Sequence, residues 1–248
     1  MIINLLFFFI FFNPKSLILS IIKKYFFLKA NIMSTIVERF KKIQSDIISL
    51  NPAKPVNIIA VSKTFDLASI KPLIDYGHSH FGENKVQEAT VKWTEQKKNN
   101  QNLKLHMIGK LQSNKAKDAV KLFDYIHSLD NQKLADALAK FQVNLNRKLQ
   151  YFIQVNIGNE IQKSGISVNE LDSFYNYCVN EINLKIIGLM VIPPVDQDAK
   201  KYFKSLNELS RSLALESMSM GMSADYIDAI KHGSTFIRVG SSIFGSRS

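Results

Sequence analysis

The chain has 248 residues, 46% of them hydrophobic and 21% charged, an ordinary balance for a globular protein of one large domain or two small ones. Its formal net charge is +11, and four of those charges (Lys15, Lys23, Lys24, Lys29) fall in a first stretch of 32 residues that holds no acid. The remaining excess is scattered lysine, without an arginine-rich run or aromatic–basic interleaving, so a nucleic-acid partner is not expected. Solvated surface, or attraction to a phosphorylated small molecule, accounts for the charge. Cys178 is the one cysteine. That excludes an intramolecular disulfide and a cysteine zinc site, and it suits a reducing, cytoplasmic setting. The five histidines (His78, His80, His106, His127, His232) show no metal-ligand spacing.

Residues 1–32 are two apolar runs split by Asn13-Pro14-Lys15-Ser16. Neither reaches the roughly 20 residues that cross a bilayer. The charges also follow the apolar runs, whereas a secretory signal places them first. Stable membrane association is therefore not expected. Residues 1–32 read as an apolar extension upstream of a true start at Met33, and residues 33–248 as one domain. After Met33 an amphipathic helix is expected over Ile36–Ile48, capped by Ser34 or Thr35 with Glu38 in its first turn.

From Asn57 onward, strand-like and helix-like segments alternate. Strand Asn57–Ser62 precedes helix Asp66–Tyr76, and His80–Gly82 precedes Val86–Lys97. Leu105–Ile108 precedes Asn114–Leu122, and Tyr125–Ser128 precedes Asn131–Leu145. Tyr151–Asn156 precedes Val168–Ile182, with Cys178 at an apolar helical position as a core thiol. Lys185–Ile192 precedes Asp198–Leu213, Ser217–Met220 precedes Ala224–His232, and Thr235–Val239 runs into Ser241–Phe244. Strands alternating with helices in this way imply βαβ units and a parallel sheet. Eight units close naturally into a (β/α)8 TIM barrel, for which about 200–250 residues suffice. An open doubly wound sheet would want a glycine-rich turn after its first strand. The turn here, Ser62-Lys63-Thr64-Phe65-Asp66, has no glycine.

Barrel sites lie at the carboxyl ends of the strands, and the loops after strands seven and eight often hold phosphate. Lys63 is the first charge after the first strand. Read alone it is a solvated lysine; at a barrel mouth, partial desolvation would favour the neutral amine, which can form a Schiff base with an aldehyde. After strand seven, Gly221 permits close backbone approach and Ser223 is placed as a helix cap. After strand eight, Gly240 and Ser241 offer free amides to an anion. Arg238, two residues before Gly240, shares its face of the strand; read alone it is an ordinary surface charge. An amine, an anion cup and a guanidinium in one register match pyridoxal 5'-phosphate, with its aldehyde, phosphate and ring nitrogen.

Ten motifs then occur in order: Val61-Ser-Lys63-Thr, Phe81-Gly-Glu-Asn84-Lys-Val-Gln-Glu88, Ile108-Gly-Lys-Leu-Gln-Ser-Asn-Lys115, Ile126-His-Ser-Leu-Asp130, Gln154-Val-Asn-Ile157, Lys163-Ser-Gly165, Gly188-Leu-Met190, Ser219-Met-Gly-Met-Ser223, Gly233-Ser-Thr235, and Arg238-Val-Gly240 with Ile243-Phe-Gly245. Together, over roughly Met33 to Arg247, they resemble the pyridoxal phosphate homeostasis proteins. The resemblance implies a single barrel of the alanine racemase N-terminal type. It implies Lys63 as the Schiff-base residue, Arg238 facing the pyridine nitrogen, Ser223, Gly240 and Ser241 on the phosphate, and Asn84 near the ring. Lys115 and Lys163 match family lysines without assigned contacts. A permanently charged guanidinium disfavours protonation of the ring nitrogen, making the ring a poor electron sink. The racemases with this arrangement add a tyrosine from a second domain, and these 248 residues hold no such domain after Phe244. The expected function is thus cofactor carriage and vitamin B6 and amino-acid homeostasis, by a monomer with little or no catalysis. The alternative is a racemase-like enzyme acting on amino acids.

Overall fold

A computed structural model describes residues 35–158, 160 and 164–245. The expectations for residues 1–32, Met33, Ser34 and Lys163 lie outside the described residues. A leading helix, α1, covers 35–50. Eight strands and their helices follow as β1 (Asn57–Val61), α2 (Leu67–Asp75), β2 (His80–Glu83), α3 (Val86–Asn99), β3 (Lys104–Met107), α4 (Ala116–Leu122), β4 (Tyr125–Leu129) and α5 (Gln132–Asn144). The second half comprises β5 (Gln150–Gln154), α6 (Leu171–Asn176), β6 (Ile186–Met190), α7 (Ala199–Ser212), β7 (Ser217–Met222), α8 (Tyr226–Lys231), β8 (Phe236–Val239) and α9 (Ser241–Phe244). The strands close into one barrel in chain order, β8 pairing with β1 through Ile59↔Arg238 and Ala60↔Val239. Every neighbouring pair is parallel, as the βαβ alternation predicts.

The strands are apolar runs because both faces are covered. In β1, Ile58, Ile59, Ala60 and Val61 are all buried. One face joins the large core under the helices, where Phe81, Trp93, Leu105, Leu138 and Phe203 are fully enclosed. The other face fills the lumen, where Ile59, Phe152, Met190 and Phe236 form a separate cluster. Local chemistry sets the helix starts: Asp66 caps α2 by accepting from Ser69 N at 2.8 Å, and Asn131 caps α5 by accepting from Leu134 N at 2.9 Å.

Two of the differences from the expected elements bear on the core and the site. The helix over Val168–Ile182 is three pieces: a 3-10 turn (Val168–Glu170), α6, and a π-helical turn (Tyr177–Glu181) that ends before Asn183 at φ 54°. The wider turn seats Cys178 in the core, fully buried, where burial pushes its thiol up to about 12. β7 runs on to Met222, two residues beyond its expected end. Among the described residues, no helix is long and apolar enough to cross a membrane.

Candidate active site at the barrel mouth

A cavity of about 530 Å³ opens at the carboxyl ends of the strands. Lys63 and Asn84 reach it from β1 and β2, Ser223 from the turn after β7, and Arg238, Gly240 and Ser241 from the end of β8. All six residues singled out in the sequence thus line one space. Val61, Ile108, Ile192 and Met222 add apolar walls. Lys115 ends a 3-10 turn after β3 and is not among the lining residues.

The Lys63 turn is held from behind by α3. Lys92 Nζ donates to Ser62 O at 2.8 Å and lies 3.0 Å from Glu83 Oε1. That carboxylate oxygen also accepts from the Ser62 hydroxyl at 2.7 Å and from Trp93 Nε1 at 2.9 Å. Beyond Lys63, Thr64 adopts φ 69°, a strained conformation for a β-branched residue. Its amide donates to Glu88 Oε1 at 2.6 Å. Side chains of one helix therefore hold both backbone neighbours of Lys63, which fixes where its amine emerges.

Arg238 is 5% exposed, so it is not the surface charge it resembles when read alone. Its alternation with Phe236 puts it on the lumen face of β8. Its hydrogen-bond partners are neutral: Nη1 donates to Ser219 Oγ at 2.7 Å and Nη2 to Val191 O at 3.0 Å. Burial pulls its pKa down to about 10, countered through space by Asp225, so the guanidinium stays charged at neutral pH. A buried cation without a carboxylate contact is costly unless another acceptor arrives. Asn84 Oδ1 is likewise buried and has no hydrogen-bond partner among the described residues.

Ser223 corrects the expectation that it caps the helix after β7. The cap position of α8 belongs to Asp225, whose carboxylate accepts from Met222 N at 2.6 Å. Two extra residues of β7 move the helix start downstream, and Gly221 at φ 90° lets the strand pass where a Cβ would stand 2.5 Å from Ala229 Cβ. Ser223 is turned instead toward β8, where Gly240 N and Ser242 N both reach its hydroxyl at 3.3 Å. Two amides and a hydroxyl converge there through long, weak bonds, a geometry that a stronger anionic acceptor could replace. The ionisable side chains lining the cavity, among the described residues, are Lys63 and Arg238.

Residues 39–248 match the alanine racemase N-terminal domain family. The pyridoxal phosphate homeostasis protein of Aquifex aeolicus is 37% identical over 199 residues, covering 77% of this chain and 86% of that protein. That of a Synechocystis strain is 38% identical over 214 residues, covering 83% and 97%. This chain is a member of the pyridoxal phosphate homeostasis protein family. Among solved structures, the family member PipY of Synechococcus elongatus, crystallised with PLP bound, superposes with TM-score 0.74 at 36% identity over 85% of this chain and all of PipY. An alanine racemase of Clostridium difficile shares the fold alone, at 13% identity and TM-score 0.65 over 86% of this chain and 57% of the racemase.

The sequence reading missed Ser219 and the histidines beneath it. His80 Nδ1 lies 2.9 Å from His106 Nε2, His106 Nδ1 lies 2.9 Å from His127 Nε2, and His127 Nδ1 lies 2.8 Å from Ser219 Oγ. The signal available was that each sits within a predicted strand.

Proposed function

We propose that the protein binds pyridoxal 5'-phosphate in the barrel-mouth cavity through a Schiff base to Lys63 and serves vitamin B6 and amino-acid homeostasis with little or no turnover. The observation that carries this reading is the convergence of Lys63, Asn84, Ser223, Arg238, Gly240 and Ser241 on one cavity. The cofactor supplies a reactive aldehyde and a ring able to hold electrons. The residues present fit it: Ser223 with the Gly240 and Ser242 amides for the phosphate, Asn84 beside the ring, and Arg238 toward the ring nitrogen. The PLP-bound relative supports the assignment of the cofactor.

Restricted turnover follows from the donor set. The Arg238 guanidinium is a donor that holds its proton at neutral pH, so the group it faces is kept as an acceptor. Proton exchange on a substrate would need an acid and a base placed on its two faces. Lys63 is the one lining residue suited to exchange a proton, and among the described residues the lining offers no second one. The scattered lysines and the single buried cysteine support a cytoplasmic setting without a nucleic-acid partner, and the proposed acting form is a monomer.

Titration of the apo-protein with pyridoxal 5'-phosphate, followed by visible absorption and a racemisation assay, tests both halves. A saturable band that borohydride bleaches, with turnover far below the ~1–10³ s⁻¹ of ordinary enzymes, is expected. Arg238→Leu should weaken cofactor affinity and shift that band. Absence of a band defeats the binding assignment; turnover in the enzymatic range defeats the homeostasis reading.

A further inference from the structure

The lumen of the barrel carries a polar column where hydrophobic side chains would ordinarily fill it. It starts at half-buried His80 near the amino end of β2 and continues through fully buried His106 on β3 and His127 on β4. It then crosses to Ser219 on β7 and ends on Arg238 of β8. Its rings are clamped: His106 stacks on Tyr125 with centroids 4.2 Å apart, and His127 on Phe152 at 4.3 Å. Burial holds both imidazoles well below the usual histidine range, and the nearby Arg238 charge reinforces this at His127. Both are therefore neutral, with one donor and one acceptor nitrogen each.

That donor count fixes a direction. A guanidinium has no acceptor, so Ser219 Oγ must accept from Arg238 Nη1. The single hydroxyl proton of Ser219 then goes to His127 Nδ1. His127 must carry its proton on Nε2, which donates to His106 Nδ1. His106 Nε2–H in turn donates to His80 Nδ1. In the opposite direction His127 would donate to Ser219, and the serine proton would have no acceptor among the described residues.

We propose that Ser219, His127, His106 and His80 are positioning residues that act through Arg238: a one-directional, uncharged hydrogen-bond column that fixes the guanidinium beneath the cavity and leaves its charge unneutralised for the ligand. A carboxylate in Ser219's place would anchor the arginine equally firmly but would cancel its charge. The neutral column supplies orientation without that loss. The cofactor-facing part of this inference rests on the function proposed above; the tautomer assignment does not.

Two measurements test it. In ¹⁵N-histidine NMR of the full chain at pH 7, His80, His106 and His127 should all be neutral Nε2–H tautomers. An Nδ1–H tautomer or an imidazolium at any of the three overturns the column. In cofactor titrations, Ser219→Ala should weaken affinity for pyridoxal 5'-phosphate about tenfold and shift the bound absorption band, and Ser219→Thr, which keeps the hydroxyl, should restore both. Unchanged affinity and spectrum in Ser219→Ala, with the wild type binding normally, refutes the positioning role while the binding function stands. A wild type that binds no cofactor defeats both the function and the positioning role, while the NMR result still decides the column.

Discussion

Acidification should destabilise this fold earlier and more steeply than carboxylate titration explains. His106 and His127 are held well below the ordinary histidine value by burial, and His78 is lowered to about 4 by the same cause. Unfolding returns all three to about 6.5. Below that pH the unfolded chain binds more protons than the folded one, so stability is full above pH 6.5 and falls as pH drops. For His78 the loss levels off near pH 4. Between pH 7 and 5.5 each histidine costs about 1.3 kcal/mol, so the three together cost about 4 kcal/mol. That is a large share of the roughly 5–15 kcal/mol typical of a domain. The slope near pH 5.7 should be at least about 3.5 kcal/mol per pH unit, or between two and three protons taken up, with His80, also lowered by burial, adding to it. Asp46 and Asp66 do not confuse the window. Hydrogen bonds, from Lys42 and Ser69 respectively, lower both carboxyls, so they titrate at more acid pH. Urea unfolding of the apo-protein from pH 5.5 to 7 measures the slope. A value below about 1.4 kcal/mol per unit, one proton or less, would refute the neutral buried histidines.

Two further perturbations probe the scaffold that presents Lys63. Lys92→Met removes the partner of a fully buried carboxylate: the Lys92 and Glu83 side chains are 8% and 0% exposed. It should cost about 3 kcal/mol in denaturant melts, and adding Glu83→Gln should recover part of that; a loss under about 0.5 kcal/mol would contradict the ion pair's role. Gly188→Ala places a Cβ 2.0 Å from Ser217 O, where backbone rather than a movable side chain stands in the way. It should cost more than about 3 kcal/mol, read as a fall in Tm, and a near-neutral effect would contradict the β6–β7 register.

The eight strands were legible because doubly covered strands are written as short apolar runs, and the helices between them as amphipathic ones. Five of the six candidate site residues were legible because β/α chemistry collects at strand ends, which sequence locates directly; Asn84 came only from the family resemblance. Ser223 was expected to cap α8 and does not, because strand length past Met220 depends on Gly221 passing over Ala229, a tertiary contact. The Glu83–Lys92 pair and the histidine column were not legible for a related reason. Glu83 alternates with Gly82, and only the closed barrel shows which of the two faces the helices. His80, His106 and His127 lie more than twenty residues apart in sequence and meet only in the lumen. Arg238 was legible as a site residue only together with Lys63 and the turns after strands seven and eight; its burial in the lumen beside Phe236 was not.

The central claim concerns one nitrogen among the many amines of a lysine-rich chain. Borohydride reduction of the protein loaded with pyridoxal 5'-phosphate, followed by peptide mass mapping, reads it directly. The account predicts a single stoichiometric pyridoxyl adduct on Lys63, lost in Lys63→Ala without loss of fold. A principal adduct on Lys115 or any other lysine, or none at all, would contradict it.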